Sequence, residues 1–122
     1  MRIVGGSRRG RRLTAPEGRA LRPTSERARE ALFNIIGHRE FAPLQLKGAR
    51  VIDLFAGTGA LGLEALSRGA AHLTTVESDR AALTCLRENV GALEFSKKVR
   101  VIQGDATNLP PAPGPCAYAF LD

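Results

Sequence analysis

Val51-Ile-Asp-Leu-Phe-Ala-Gly-Thr-Gly59, continued by Ala60-Leu-Gly-Leu-Glu-Ala-Leu-Ser-Arg-Gly69, joins an apolar run, a glycine cluster and a helix-period segment without a break. Val51 to Phe55 is a short apolar run with a β-branched start, set off by Gly37 and Gly48 before it, and reads as a buried parallel strand. A glycine turn follows. A helix-period segment comes next, with Leu61, Ala65 and Leu66 on one stripe and a stop at Gly69. Strand, tight turn and helix predict the first crossover of a nucleotide-binding α/β sheet, in which ligands sit beyond the carboxyl ends of the strands.

The spacing Gly57-x-Gly59-x-x-Gly62 also fits the dinucleotide fingerprint, so an NAD-type site is the natural rival reading. Asp53 separates the two. It is an acid inside the strand end, four residues ahead of the first glycine. A turn built for pyrophosphate presents bare N–H groups and has no use for a carboxylate beside its anion. An acid there suits a ligand with positive charge, and S-adenosylmethionine carries both an ammonium and a sulfonium. Asp-x-Phe-x-Gly-x-Gly resembles the first motif of class I methyltransferases.

At 122 residues the chain is at most one domain, and a small one for an open α/β sheet. With 43% hydrophobic residues it can bury a core, and 25% charge is ordinary for a soluble protein. No apolar run approaches the roughly 20 residues of a membrane span. The start lacks the apolar region of a signal peptide, so a cytoplasmic location is expected. Cys85 and Cys116 have no metal spacing and are expected to be reduced and partly buried; nothing clusters around His38 or His72.

The net charge of +6 is uneven. Residues 1–30 hold nine arginines against three glutamates, whereas residues 31–122 hold nine basic and nine acidic residues. The excess is therefore N-terminal and all arginine. Arginine forks match phosphate oxygens and stack on bases, which favours a nucleic-acid partner.

Residues 1–23 read as an extended or hairpin-like arm, with Arg2-Ile-Val-Gly-Gly and Arg11-Arg-Leu-Thr-Ala flanking the turn Gly6-Ser-Arg-Arg-Gly10. The alternative is a solvated basic tail. A helix should start at Thr24 or Ser25, carry Ala28, Ala31, Leu32, Ile35 and Ile36 inward, and end at Gly37. Arg27 and Arg29 fall off that stripe, towards solvent or a ligand. Leu73 to Glu77 is predicted as the second strand, its acid 18 residues past Gly59, near the spacing at which a carboxylate holds ribose hydroxyls. Asp79 is the expected N-cap of a helix with Ala82, Leu83, Leu86 and Val90 inward and a stop at Gly91. Val99 to Gln103 is the third strand, leading to Gly104-Asp105-Ala106, where an acid can accept from an adenine amino group, although Gly-Asp is also an ordinary turn. The prolines of 109–115 predict a looped crossing. Ala117 to Asp122 is the fourth strand, and an open central edge there predicts that residues 24–122 are the first part of a longer domain.

Taken together, the chain resembles the bacterial small-subunit (16S) ribosomal RNA guanine-N2 methyltransferases, N-terminal part. The resemblance spans Met1-Arg-Ile-Val-Gly-Gly, Arg22-Pro-Thr-Ser-Glu-Arg-Ala-Arg-Glu-Ala-Leu-Phe-Asn34, the glycine loop through Ala70, and Val76-Glu-Ser-Asp79. It implies a truncated Rossmann-like class I sheet with a basic arm and helix. The family's fourth strand ends Asp-Pro-Pro-Tyr or Asp-Pro-Pro-Phe, and only Asp122 of that motif is present, so the 122-residue chain alone is expected to be inactive.

The resemblance implies a role for each matching position. Asp122 would be catalytic, accepting from the 2-amino group of a guanine. Asp53, Phe55, Gly57, Gly59, Glu77, Ser78, Asp105 and Ala106 would hold S-adenosyl-L-methionine. Arg8, Arg9, Arg11, Arg12, Arg22 and Arg27 would grip RNA, no metal being required. The partner would be ribosomal RNA or a small-subunit ribosomal particle, no membrane would be involved, and the full-length protein would be a monomer. Three alternatives stay open at this level: an adenine or protein-glutamine methyltransferase, an NAD-dependent oxidoreductase, and a non-catalytic RNA-binding module.

Overall fold

The computed structural model describes residues 1–16, 26–37, 46–105, 107 and 118–120. Helix α1 (Glu26–Gly37) precedes strand β1 (Arg50–Asp53), helix α2 (Ala60–Ser67), strand β2 (His72–Glu77), helix α3 (Arg80–Ala92) and strands β3 (Val99–Gln103) and β4 (Tyr118–Phe120). All four strands are parallel, in the order β3-β2-β1-β4. From β1 the chain steps outward twice and then returns to the opposite side of β1. The reversal puts a topological switch between β1 and β4, the place where an open α/β sheet forms its ligand crevice. The Thr24 or Ser25 cap, the proline-rich crossing, Cys116, Arg22, Ala106 and Asp122 lie outside the described residues.

β1 is shorter than the apolar run suggests, because Leu54 and Phe55 already belong to the turn. Leu54 still donates to the Phe120 carbonyl (3.0 Å) and Ala56 to that of Val76 (3.0 Å), so both flanking strands hold the turn. Residues 60–67 are all buried, not only the expected stripe. The reason is the arm. Met1 to Leu13 folds back as a hairpin, with a bridge between Arg2 and Arg12 and a 3₁₀ turn at Gly6–Arg8, and seats Ile3 and Leu13 in the core. Sheet on one side and arm plus α1 on the other enclose α2 completely.

The approach of arm to helix is close enough to dictate glycine. Gly6 has φ +82, and a Cβ there would stand 1.9 Å from the Ser67 carbonyl oxygen. Neither the backbone conformation nor the space admits a side chain. Ser67 completes the seat, donating to the Gly5 carbonyl (2.6 Å) and accepting from the Arg8 N–H (2.9 Å).

Two helix expectations need correction. In α1 the buried residues are Arg29 and Phe33, with Leu32 and Ile36 half-buried, whereas Ala28, Ala31 and Ile35 are exposed. The inward stripe is thus rotated, because Arg29 turns in to an ion pair with Glu64 and Phe33 packs edge-on against Phe120 of β4, centroids 6.0 Å apart. Helix α3 does not stop at Gly91. It runs to Ala92, and Glu94 takes the left-handed conformation (φ 61). Phe95 then donates to the Val90 carbonyl and Glu94 to that of Gly91, the paired bonds of a Schellman ending, with Phe95 buried as its apolar closure.

Candidate functional site

At the carboxyl ends of β1 and β2 the glycine turn and a carboxylate meet. Glu77, last in β2, accepts from the Gly57 N–H through Oε1 (2.8 Å) and from the N–H groups of Ser78 and Asp79 through Oε2 (2.9 and 2.8 Å). A carboxylate has about four acceptor positions, so these bonds fix its orientation and leave one on Oε1. The β1 acid, Asp53, is 1% exposed and its Oδ1 lies 3.4 Å from the Phe55 nitrogen. Two acids therefore stand at neighbouring strand ends, joined by the turn.

The turn's own donors point inward. Gly57 N–H is held by Glu77, and Gly59 N–H by the Ala56 carbonyl (2.8 Å). At Gly57 (φ +55) a Cβ would meet nothing within 4 Å, so the backbone there borders open space. Gly62 serves packing instead: a Cβ would come within 2.6 Å of the Leu73 methyl groups, and its absence lets α2 lie close on β2.

Phe55, Glu77, Ser78 and Asp105 come together in a cleft of about 150 Å³, with Leu54, Val76 and Gly104 completing its lining. Phe55 is 55% exposed at its mouth. Asp105 accepts from the N–H and hydroxyl of Thr107 (2.8 and 2.9 Å), and these bonds hold its carboxyl below the usual carboxylate range. Both bonds fall on Oδ1. The polar side chains of the cleft are all acceptors or hydroxyls at one end of the sheet, a set suited to a ligand bearing hydroxyl and amino donors.

The arginines divide in two. Arg8 is half-buried: its Nε donates to the Leu93 carbonyl (2.7 Å), and its guanidinium lies 4.6 Å from the Phe95 ring centre. Arg11, itself exposed, donates to the Ala92 carbonyl. Both arm arginines therefore satisfy the end of α3. Arg9, Arg12 and Arg27 are exposed. Arg29, expected outside, is fully buried; its Nη1 donates to Glu64 Oε1 (3.0 Å) and its Nη2 to the Arg2 carbonyl (2.7 Å). Burial pulls its pKa down, and the Glu64 carboxylate opposes that shift.

Sequence reasoning missed two buried polar residues, Glu64 and Asn89. Glu64 accepts from the N–H groups of Val4 and Gly5 (2.9 Å each), from Arg29 and from Arg68. Its only signal is an acid set among apolar helix neighbours. Among the described residues no group of His, Cys, Asp and Glu is placed to hold a metal, and no helix is long and apolar enough to cross a membrane.

The model of the family described as conserved hypothetical protein 95 matches residues 1–122. The chain is 43% identical over 123 aligned positions to the ribosomal RNA small subunit methyltransferase D of Escherichia coli (strain K12), covering all of this chain and 59% of that protein. It is 42% identical over 106 positions to a provisionally named ribosomal RNA methyltransferase of Bacillus subtilis (strain 168), covering 87% of this chain and 54% of that one. A solved Escherichia coli structure with a provisional methyltransferase name superposes with a TM-score of 0.72 at 42% identity, over 87% of this chain and 53% of that chain. The chain thus spans between half and three-fifths of the length of these two curated relatives. With a family match along its whole length and this parallel sheet, the chain belongs to the conserved hypothetical protein 95 family and has the class I methyltransferase fold.

Proposed function

We propose that the protein carrying this chain transfers a methyl group from S-adenosylmethionine to the exocyclic 2-amino group of a guanine in small-subunit ribosomal RNA. One observation carries the choice of cofactor: Asp53, 1% exposed, sets a carboxylate at the end of β1, just ahead of the glycine turn. A dinucleotide turn offers its N–H groups to a pyrophosphate, and a carboxylate in that place repels one. The same acid suits a cationic ligand, while Glu77, bound to the Gly57 N–H, suits the ribose that either cofactor carries. The names of the curated relatives support ribosomal RNA as substrate.

The residues present fit this cofactor. The open space at Gly57 would admit the methionine end against the Gly57 backbone, with Asp53 supplying negative charge. Glu77 and Ser78 would hold the ribose, Asp105 and Ala106 the adenine, and Phe55 would flank it. The cofactor supplies an electrophilic methyl on a sulfonium. Asp122 would accept an N–H of the guanine amino group and aim its nitrogen, a positioning role; a carboxylate is too weak a base to deprotonate a neutral amine beforehand. Exposed Arg9, Arg12 and Arg27, with Arg22, would meet RNA phosphates. A ribosomal substrate in turn implies a cytoplasmic protein, and we expect a monomer.

Thermal melts of the full-length protein with S-adenosylhomocysteine and with NAD test the cofactor. At about a hundred times its Kd the former should add about 2.7 kcal/mol of stability. A shift with NAD alone overturns the reading. Nucleoside mass spectrometry of unmodified 16S RNA after reaction tests the target, where N2-methylguanosine is expected and N6-methyladenosine would reassign it.

A further inference from the structure

Asn89 lies on α3 and is 1% exposed, yet its side chain serves two other segments. Its Oδ1 accepts from the Thr14 N–H (2.7 Å), and its Nδ2 donates to the Thr14 carbonyl (3.0 Å) and to the Thr58 carbonyl (2.9 Å). Nδ2 has two hydrogens, one for each carbonyl, so the amide can sit only one way round. Thr14 belongs to the arm, and Thr58 is the middle residue of Gly57-Thr-Gly59. One buried side chain thus ties the arm to the turn that borders the candidate cofactor site.

We propose that Asn89 is a positioning residue that couples seating of the arm to the shape of the glycine turn, so that a seated arm raises cofactor affinity. When the arm lifts, Asn89 loses two of its three bonds. Its amide must then turn to other partners, and the Thr58 carbonyl loses a donor whose direction was fixed. The two glycine N–H groups have ties of their own, Gly59 to Ala56 within the turn and Gly57 to Glu77 at the end of β2, and Asn89 adds the tie that reaches the arm. By linkage, a bound cofactor must in turn tighten the arm. With RNA held on the arm's exposed arginines, substrate and cofactor would reinforce each other. The identity of the ligand rests on the function proposed above, whereas the arm-to-turn coupling does not.

The test uses the full-length protein with Gly6→Ala, Asn89→Leu and both together. Gly6→Ala unseats the arm from α2 through the Ser67 clash and touches neither Asn89 nor the turn. S-adenosylhomocysteine affinity is read by calorimetry, and amide hydrogen exchange is read at Gly57 and Gly59. Each single change should weaken binding on the order of tenfold, within the usual range of coupling between sites, and speed exchange of the turn. The double variant should be no worse than either single one, a non-additivity that independent structural damage would not produce. Losses that multiply, or a Gly6→Ala protein with unchanged affinity and exchange, overturn the coupling. Should the wild type bind no S-adenosylhomocysteine, the cofactor reading fails and exchange alone decides: faster turn exchange in Gly6→Ala supports the coupling, unchanged exchange refutes it. The same exchange readout in Gly6→Ala decides if Asn89→Leu does not fold.

Discussion

Arg29 Nη1 and Glu64 Oε1 lie 3.0 Å apart with both side chains wholly shielded from water, joining α1 to α2. The same carboxylate takes two arm N–H groups and Arg68, so three segments meet on one acid. Removing one partner of a buried pair leaves an uncompensated charge, which is far costlier than losing a surface bridge. Glu64→Gln should therefore lower stability by about 3 kcal/mol in urea unfolding. Arg29→Met combined with Glu64→Leu should recover only part of that loss, because the Val4 and Gly5 N–H groups stay without an acceptor. A loss below about 1 kcal/mol for Glu64→Gln, the range of an exposed pair, would contradict this account.

Glu94 offers the opposite kind of change. It is exposed and holds a left-handed φ of 61 where helices usually place glycine. That conformation costs an L-residue roughly 1–2 kcal/mol, against roughly 0.5–1 kcal/mol of extra chain entropy for glycine. Glu94→Gly should raise the unfolding free energy by about 0.5–1 kcal/mol, on these two magnitudes. A measured destabilisation would mean that the Glu94 side chain stabilises the fold by more than its backbone conformation costs.

The arm arginines should separate by experiment. Arg8→Ala removes a bond to the Leu93 carbonyl and a stacking interaction on Phe95, and should cost about 1–2 kcal/mol of stability. Arg9→Ala with Arg12→Ala should leave the melt nearly unchanged. If these residues meet phosphates as proposed, the double change should reduce the salt slope of RNA binding by about 0.7–0.9 for each phosphate no longer neutralised. An unchanged slope would remove them from the RNA surface.

His72 makes stability depend on pH. Burial and the neighbouring Arg50 and Arg100 push its pKa down in the fold. The unfolded chain therefore binds the proton more readily, and stability rises with pH wherever that is so. The contribution of His72 is complete above its unfolded value of about 6.5 and is lost as pH falls through the lower folded value. His72→Gln should flatten the decline of the thermal midpoint below about pH 6.5, with the histidine ring protons in NMR reporting the shifted titration. A decline of the same slope in the variant would assign it to other groups.

The framework of the molecule is legible in the sequence because its signals are local. Breaks and apolar runs mark β1, β2 and β3 to within a residue or two, and Asp79 caps α3 as its position suggests, its side chain accepting from the Ala82 N–H (2.9 Å). Gly57, Gly59 and Glu77 stand out together because turn and strand-end chemistry depends on short spacings. The hairpin of the arm is legible for the same reason, from glycines around an arginine turn. Helix ends and faces are harder to read. Gly91 has the look of a stop, but a Schellman ending closed by Phe95 and capped by Arg8 and Arg11 makes a glycine there unnecessary.

The class of the sheet, the place of the glycine turn and the acids beside it are legible in the amino-acid order, since each follows from local patterns and short spacings. Tertiary structure decided which polar groups are structural and which face outward. Arg8, Arg11, Arg12 and Arg29 are one residue type in one basic region, yet Arg29 is buried against Glu64, Arg8 and Arg11 close α3, and Arg12 is exposed. Charge alone cannot separate them. Partners 35 and 85 residues away along the chain do so, because acceptors from other segments replace most of the hydration a guanidinium loses on burial, Arg29 Nε alone of its nitrogens having none among the described residues.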